Sequence, residues 1–249
     1  MKSFNQELKS ALVAEIRKHR EQDQVIQGNY GTTESGIFRG CAVGCAIDSL
    51  FRVGGYDTPY YLCSDHGIYE RELGIPRILA ELQDVIHEGL SDECFPTWPE
   101  RFMEAVPTEK DLSLVFPKFA LWFLVDEEYG ILNYAIGTKH QEAVEEAAGL
   151  LSAIVAGEHI PLQVWKDCAE LARSVRTVGT PEDFTCPARA VNHILSAFNG
   201  ASGAERRYLT IALDIAEELH VEKYNTSYYE KCAEKLIELL KAEGNDTRN

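Results

Sequence analysis

Four residues able to ligate a soft cation stand in two close pairs. Cys41 and Cys45 are separated by three residues, Cys63 and His66 by two, and seventeen residues lie between the pairs. Tetrahedral zinc takes thiolate and imidazole donors, commonly two from each of two turns, so Cys41, Cys45, Cys63 and His66 form a candidate zinc site. The apolar Ala46-Ile47 and Leu50-Phe51 that follow favour another reading, in which the thiols simply pack a crowded helix. Cys41 is also a candidate nucleophile. It follows Gly40 at the expected start of a helix, where backbone N–H groups and the helix dipole favour a thiolate. Such a thiol needs a base, and His19 and His66 are the nearest in sequence. His19 continues the Leu8, Leu12, Ile16 stripe and Asp23 follows one turn later, a spacing that lets the carboxylate orient the imidazole. The catalytic candidates are therefore Cys41, His19 and Asp23, lined by the glycine-rich loop 28–36. An ordinary helix-end contact is the alternative for His19 and Asp23.

Other residues point to less. Asp48 sits in an apolar segment and needs a partner if it is buried. His87, His140, His159, His193 and His220 are dispersed, with no metal-binding pair on one helix face, and loop 28–36 has neither a Walker A nor a GxGxxG spacing. No cofactor-binding nucleotide site is expected. Glu142, Glu145 and Glu146 read as a solvated helix face.

The elements that must position these groups are mostly helical. Leu8, Ala11, Leu12 and Ile16 predict a helix from about Ser3 to about Gln24. Cys41 to Phe51 reads as a buried helix, with a short strand over 37–44 as the alternative because glycines weaken helices. Ser64-Asp65 starts a short helix that Gly74 stops, and Pro76 opens the next, with a stripe of Ile75, Ile78, Leu79, Leu82 and Ile86. Thr97 with Glu100, Thr138 with Gln141, and Ser202 with Glu205 read as capping boxes. Pro117 starts or kinks an apolar helix over 118–125, while Pro161, Pro181 and Pro187 mark first turns. The final helix carries Tyr229, Cys232, Ala233, Leu236, Ile237 and Leu240 on one face. An offset of 44 residues aligns Leu150–Ile154 with Ile194–Phe198 and Cys168–Ala172 with Ala212–Ala216, as expected of stacked helical hairpins.

The 249 residues carry 40 acidic and 24 basic side chains, a net charge of −16, and 45% hydrophobic residues. That composition excludes intrinsic disorder and disfavours nucleic acid as a partner. The longest apolar run, Phe119 to Val125, is far short of the roughly 20 residues of a spanning helix, so no membrane segment is expected. The first residues have no apolar core and no small-residue cleavage site, so no secretory signal is expected and the cytoplasm is the expected location. Seven scattered cysteines fit reduced thiols better than a disulfide framework. The charge is uneven: residues 1–40 are near neutral at +1, whereas residues 64–130 hold fifteen acids and five bases, a net of −10. Concentrated acid of this kind suits a basic protein partner.

Gly40-Cys41-Ala42-Val43-Gly44-Cys45, with Asp65-His66, Tyr69-Glu70, Glu72-Leu73-Gly74-Ile75-Pro76, Glu88-Gly89-Leu90 and Trp98-Pro99-Glu100-Arg101-Phe102, resembles a family of uncharacterised bacterial and phage proteins. His19-Arg20-x-x-Asp23 and Lys235-Leu236-Ile237-Glu238-Leu239-Leu240 belong to the same resemblance, which spans most of the chain. It implies no reaction or cofactor. Cys63 lies outside the family pattern, which leaves Cys41, Cys45, His19, Asp23 and His66.

The expected fold is all-α: nine or ten helices in one domain over 1–249, irregular near 25–66, with stacked hairpins toward the C-terminus. A subdivision into 1–136 and 137–249 is the alternative. The expected function is an acidic helical interaction protein, inhibitor- or immunity-like. Its rival is a thiol- or zinc-dependent protein centred on Cys41 and Cys45 with His19, Asp23 and His66.

Overall fold

The computed structural model describes residues 4–34, 36–176, 186–198, 205–224 and 227–245. Among them are twelve α-helices and a single two-stranded sheet, so the chain is all-α. None of these helices is long and apolar enough to cross a membrane. The chain divides into two compact units, Met1–Leu112 with Cys232–Asn249, and Ser113–Lys231.

The first unit opens with α1 (Gln6–Glu21), capped by Asn5, whose Oδ1 accepts the Leu8 N–H at 2.9 Å. Leu12, Ile16 and His19 form its buried stripe. The helix ends earlier than its polar pattern suggests because Asp23 turns left-handed at φ 52°, a conformation that aspartate tolerates. The antiparallel hairpin β1 (Thr32–Glu34) and β2 (Ile37–Arg39) pairs Thr33 with Phe38. Then α2 (Ala42–Val53) begins, so both readings of 37–44 hold in part: a strand to Arg39 and a helix from Ala42. Helix α3 (Gly67–Leu73) starts where Asp65 Oδ1 accepts the Gly67 N–H at 3.0 Å and stops at left-handed Gly74. Helix α4 (Arg77–Gly89) follows Pro76, and α5 (Trp98–Ala105) follows a short 3-10 turn.

The Thr97–Glu100 capping box does not form. Thr97 Oγ1 donates to Cys94 O at 3.0 Å, while Glu100 accepts from Arg17 Nε at 2.6 Å and Arg20 Nε at 2.9 Å. Two guanidinium donors bind a carboxylate more strongly than one backbone amide does, and they tie α5 to α1.

The second unit contains α6 (Val115–Val125), α7 (Leu132–Ala135), α8 (Gln141–Val155), α9 (Leu162–Ser174), α10 (Pro187–Phe198) and α11 (Glu205–Tyr224). Pro117 lies in the first turn of α6, where its missing N–H costs nothing. Gln141 Oε1 accepts the Gly137 N–H at 2.8 Å and Thr138 Oγ1 accepts the His140 N–H at 3.1 Å, bonds that brace the turn ahead of α8; His140 is its N-cap, so the Thr138–Gln141 box does not form. Helices α8 and α9 form one hairpin, and α10 and α11 another. At the 44-residue offset, Leu150 and Ile194, Leu151 and Leu195, Cys168 and Ala212, and Ala172 and Ala216 are all buried. Pro181 and Ser202, the first residue of the expected Ser202–Glu205 box, lie outside the described residues. Helix α12 (Tyr228–Asn245) buries Tyr229, Cys232, Ala233, Leu236 and Leu240, as its pattern predicts.

Helix α2 is buried on every side from Ala42 to Ser49. Its glycine at position 44 is a steric requirement: a Cβ there would lie 1.5 Å from the Tyr30 carbonyl oxygen, and one at Gly40 would lie 2.6 Å from the same atom. Gly149 in α8 has open space instead. In denaturant melts, Gly44→Ala should cost at least about 2–3 kcal/mol by overpacking, while Gly149→Ala should gain roughly 0.5–1 kcal/mol by helix propensity. Equal effects of the two substitutions would refute the close approach of loop and helix.

Candidate metal centre

The segment after α1 seats the start of α2. Val25 and Gly40 form a parallel bridge; Ile26 N–H donates to Gly40 O at 2.9 Å and Gly40 N–H to Gln24 O at 3.0 Å. Cys41 N–H then donates to Asn29 O at 2.7 Å. Cys41 is thereby fixed as the N-cap of α2 with an extended backbone, and the Gly44 N–H bonds its sulfur.

Helix α4 brings two carboxylates to this sulfur. Cys41 Sγ lies 3.4 Å from Asp84 Oδ1, and the other Asp84 oxygen lies 3.0 Å from His66 Nε2. His66 Nδ1 stands 3.1 Å from the Ser64 carbonyl, so both ring nitrogens face oxygens. One turn beyond Asp84, Glu88 Oε2 accepts the Gly28 N–H at 2.6 Å. Donor atoms of Cys41, Asp84 and Glu88 all lie within 4.8 Å of one another, the only such group among the described residues. Asp84 is fully buried, Cys41 nearly so, and Glu88 half-buried. Two carboxylates at this separation repel by about 3 kcal/mol at an effective dielectric constant of 20, so the cluster calls for positive charge.

The thiol is unsuited to nucleophilic attack as it stands. Burial, and then the Asp84 charge, push its pKa well above the ordinary thiol value, outweighing the Gly44 N–H. The order of groups is also wrong for a thiol–imidazole pair, because the carboxylate stands between Cys41 and His66.

The expected Cys41, His19, Asp23 site is not assembled. Asp23 is exposed and turned away by its left-handed backbone. His19 is buried, with Nδ1 2.6 Å from Gln24 Oε1 and Nε2 3.2 Å from Asp48 Oδ2. Asp48, the buried carboxylate that needed partners, also accepts from Thr58 Oγ1 at 2.8 Å and from Arg52 Nε. Burial acts to raise its pKa, but the His19 and Thr58 hydrogen bonds and the Arg52 charge hold it below the usual carboxylate range.

The four-ligand zinc set is likewise not brought together. As an extended N-cap, Cys41 leaves the helical face that carries Cys45 and points toward α4. Cys45 donates to the Gly40 carbonyl at 3.2 Å and packs with Val25, Phe38 and Cys63 in an apolar cluster. Burial raises the Cys45 thiol and lifts that of Cys63 to about 11. His66 reaches the cluster only through Asp84. Asp84 and Glu88 are what sequence reasoning missed. Their signal was an i,i+4 carboxylate pair on a helix that also buries Glu81, Gln83 and His87.

No family model matches the chain, and no curated protein or solved structure matches it either.

Asp48 yields a pH test. Its folded pKa lies below the ordinary 3.8, so its contribution is complete above that value and is lost as pH falls through the lower folded one. Asp48→Asn should cost about 1–3 kcal/mol at neutral pH and flatten the loss of stability below about pH 4 in urea melts. An unchanged acid limb would contradict the pairing.

Proposed function

We propose that the chain is a metal-binding protein whose centre is Cys41, Asp84 and Glu88 and whose cation is a zinc-class divalent ion. The observation that carries this reading is the convergence of three donor atoms within 4.8 Å in a largely buried setting. A tetrahedral zinc ion with ordinary bond lengths separates its sulfur and oxygen ligands by about 3.5 Å. The Cys41 Sγ to Asp84 Oδ1 separation of 3.4 Å already matches. A thiolate beside two carboxylates favours zinc or a neighbouring transition ion over magnesium or calcium. His66 acts as the outer partner that orients Asp84. Three protein donors leave a fourth position for water or a ligand, and the bound ion joins α2 to α4, whose Glu88 in turn holds the Gly28 amide.

Zinc titration of the purified, chelator-treated chain should give about one equivalent bound, with affinity rising by roughly tenfold per pH unit as the Cys41 proton leaves. Cys41→Ser and Glu88→Gln should weaken binding by at least about 100-fold, and His66→Gln by roughly 10- to 100-fold, with a thiolate charge-transfer band in the cobalt form that vanishes in Cys41→Ser. Cys45→Ser and Cys63→Ser should leave stoichiometry and affinity intact. Stoichiometry below about a tenth of an equivalent, or loss of metal on substituting Cys45 or Cys63, would overturn the proposal.

A second reading, an acidic docking protein for a basic partner, is supported by exposed Asp92, Glu93, Glu104, Glu109 and Asp111 in the first unit. It requires a complex that weakens steeply with salt.

A further inference from the structure

A second polar site lies on α2, beyond the metal cluster. A cleft of about 450 Å³ opens between the β1–β2 hairpin, α2 and the loop 56–58, lined by Phe38, Asp48, Arg52, Tyr56, Asp57 and Thr58 among others. This volume falls in the range of small-molecule sites. Asp48 is buried in its wall, and its oxygens are engaged by Thr58, Arg52 and His19, so it acts as an anchor rather than a receptor. What it anchors is Arg52. The Nε of that guanidinium is held by Asp48 one turn earlier on the helix, while its terminal N–H groups have no partner among the described residues. Five residues on, exposed Asp57 lines the same cleft and has no hydrogen-bond partner or ion pair among the described residues.

We propose that this cleft binds a small amino carboxylate, a free amino acid in its zwitterionic form, with its carboxylate on the Arg52 fork and its ammonium on Asp57. A guanidinium oriented by a buried carboxylate presents its remaining donors to a planar anion with little entropic cost. Opposite charges on the two walls select a ligand bearing both. A phosphate dianion meets Asp57 and Asp48, and a simple amine meets Arg52, so each lacks one half of the match. The Phe38 and Tyr56 rings supply apolar wall for the ligand side chain, and the Thr58 hydroxyl fixes the floor by its bond to Asp48.

The probe is a panel of free amino acids titrated into the full chain by calorimetry and by amide chemical shifts, beside the corresponding carboxylic acids lacking the amine and amines lacking the carboxylate. At least one amino acid should bind saturably, with shifts confined to residues around 33–38 and 48–58, and each singly charged analogue should bind at least tenfold more weakly. Arg52→Gln and Asp57→Asn should each weaken binding by at least tenfold. Asp57 is exposed and makes no bond among the described residues, so its variant should keep the fold even if Arg52→Gln disturbs Asp48. No saturable binding up to about 10 mM, equal binding of the singly charged analogues, or unaltered affinity in a folded Asp57→Asn variant would each overturn the proposal.

Discussion

The first unit depends on one backbone-to-backbone contact: the carbonyl of Tyr30 lies against the first turn of α2, in space that only glycine at 40 and 44 leaves open. Because the loop can approach so closely, Asn29 O reaches the Cys41 amide and caps the helix from outside. The same loop is laced to the C-terminal half of α4. Gln27 Nε2 donates to His87 O at 2.7 Å and to Leu90 O at 2.9 Å, His87 Nε2 to Ile26 O at 3.0 Å, and Gly28 N–H to Glu88. Burial lowers the pKa of His87, which suits a neutral ring donating one bond to a carbonyl. Seating the loop thus aligns α2, α4 and the Cys41 sulfur together, and the polar His87 and Glu88 side chains on α4 follow from this need to satisfy loop backbone in a dry interior.

This arrangement changes the meaning of the acidic excess. Of the fifteen acids between 64 and 130, Glu81, Asp84 and Glu100 are buried and Glu88 is half-buried. Glu81 is paired with Arg77, and Glu100 with Arg17 and Arg20. Buried carboxylates survive only with such partners. Two histidine–aspartate pairs are built near the N-terminal half of α2, and their neighbours differ in sign. His19 and Asp48 have Arg52 beside them, whereas His66 and Asp84 have Cys41 and Glu88. The first pair is supplied with cationic charge by the protein itself. The second gathers anionic groups, which is the electrostatic setting of a cation site.

The all-α class, the hairpins after Thr138 and the apolar face of α12 were legible because periodicity is a local property. The place of Cys41 at a helix start was legible too, from Gly40. Its partners were not. The spacing of Cys45, Cys63 and His66 imitates a metal motif, but an N-cap thiol and a thiol one turn into the helix do not share a direction. The i,i+4 rule that linked His19 to Asp23 assumes that the helix continues, and the left-handed turn at Asp23 ends it. Asp84 and Glu88 lie more than forty residues from Cys41, and their meeting is set by how the Gln24–Gly31 loop packs. Sequence pattern reports such a contact only indirectly, as polar residues buried on a helix.

Magnitudes decide between the two chemistries once proposed for Cys41. A helix N-terminus stabilises a thiolate by about 0.3–1 kcal/mol, and up to about 2 kcal/mol in a partly buried setting. Against this stand the desolvation of a nearly inaccessible sulfur and two carboxylates, each opposing a negative sulfur by about 3–5 kcal/mol at separations of 3.4 to 4.8 Å and an effective dielectric constant of 20. The dipole loses, and the group rests as a thiol donating to Asp84. A divalent ion among the three donors would reverse every sign: the carboxylates that oppose the thiolate would become its fellow ligands, and the Gly44 amide would support the sulfur. A Cys41 placed for nucleophilic attack would need a basic group where Asp84 stands. Placed where it is, the same thiol would become an anion together with a cation, as the proposed metal site requires.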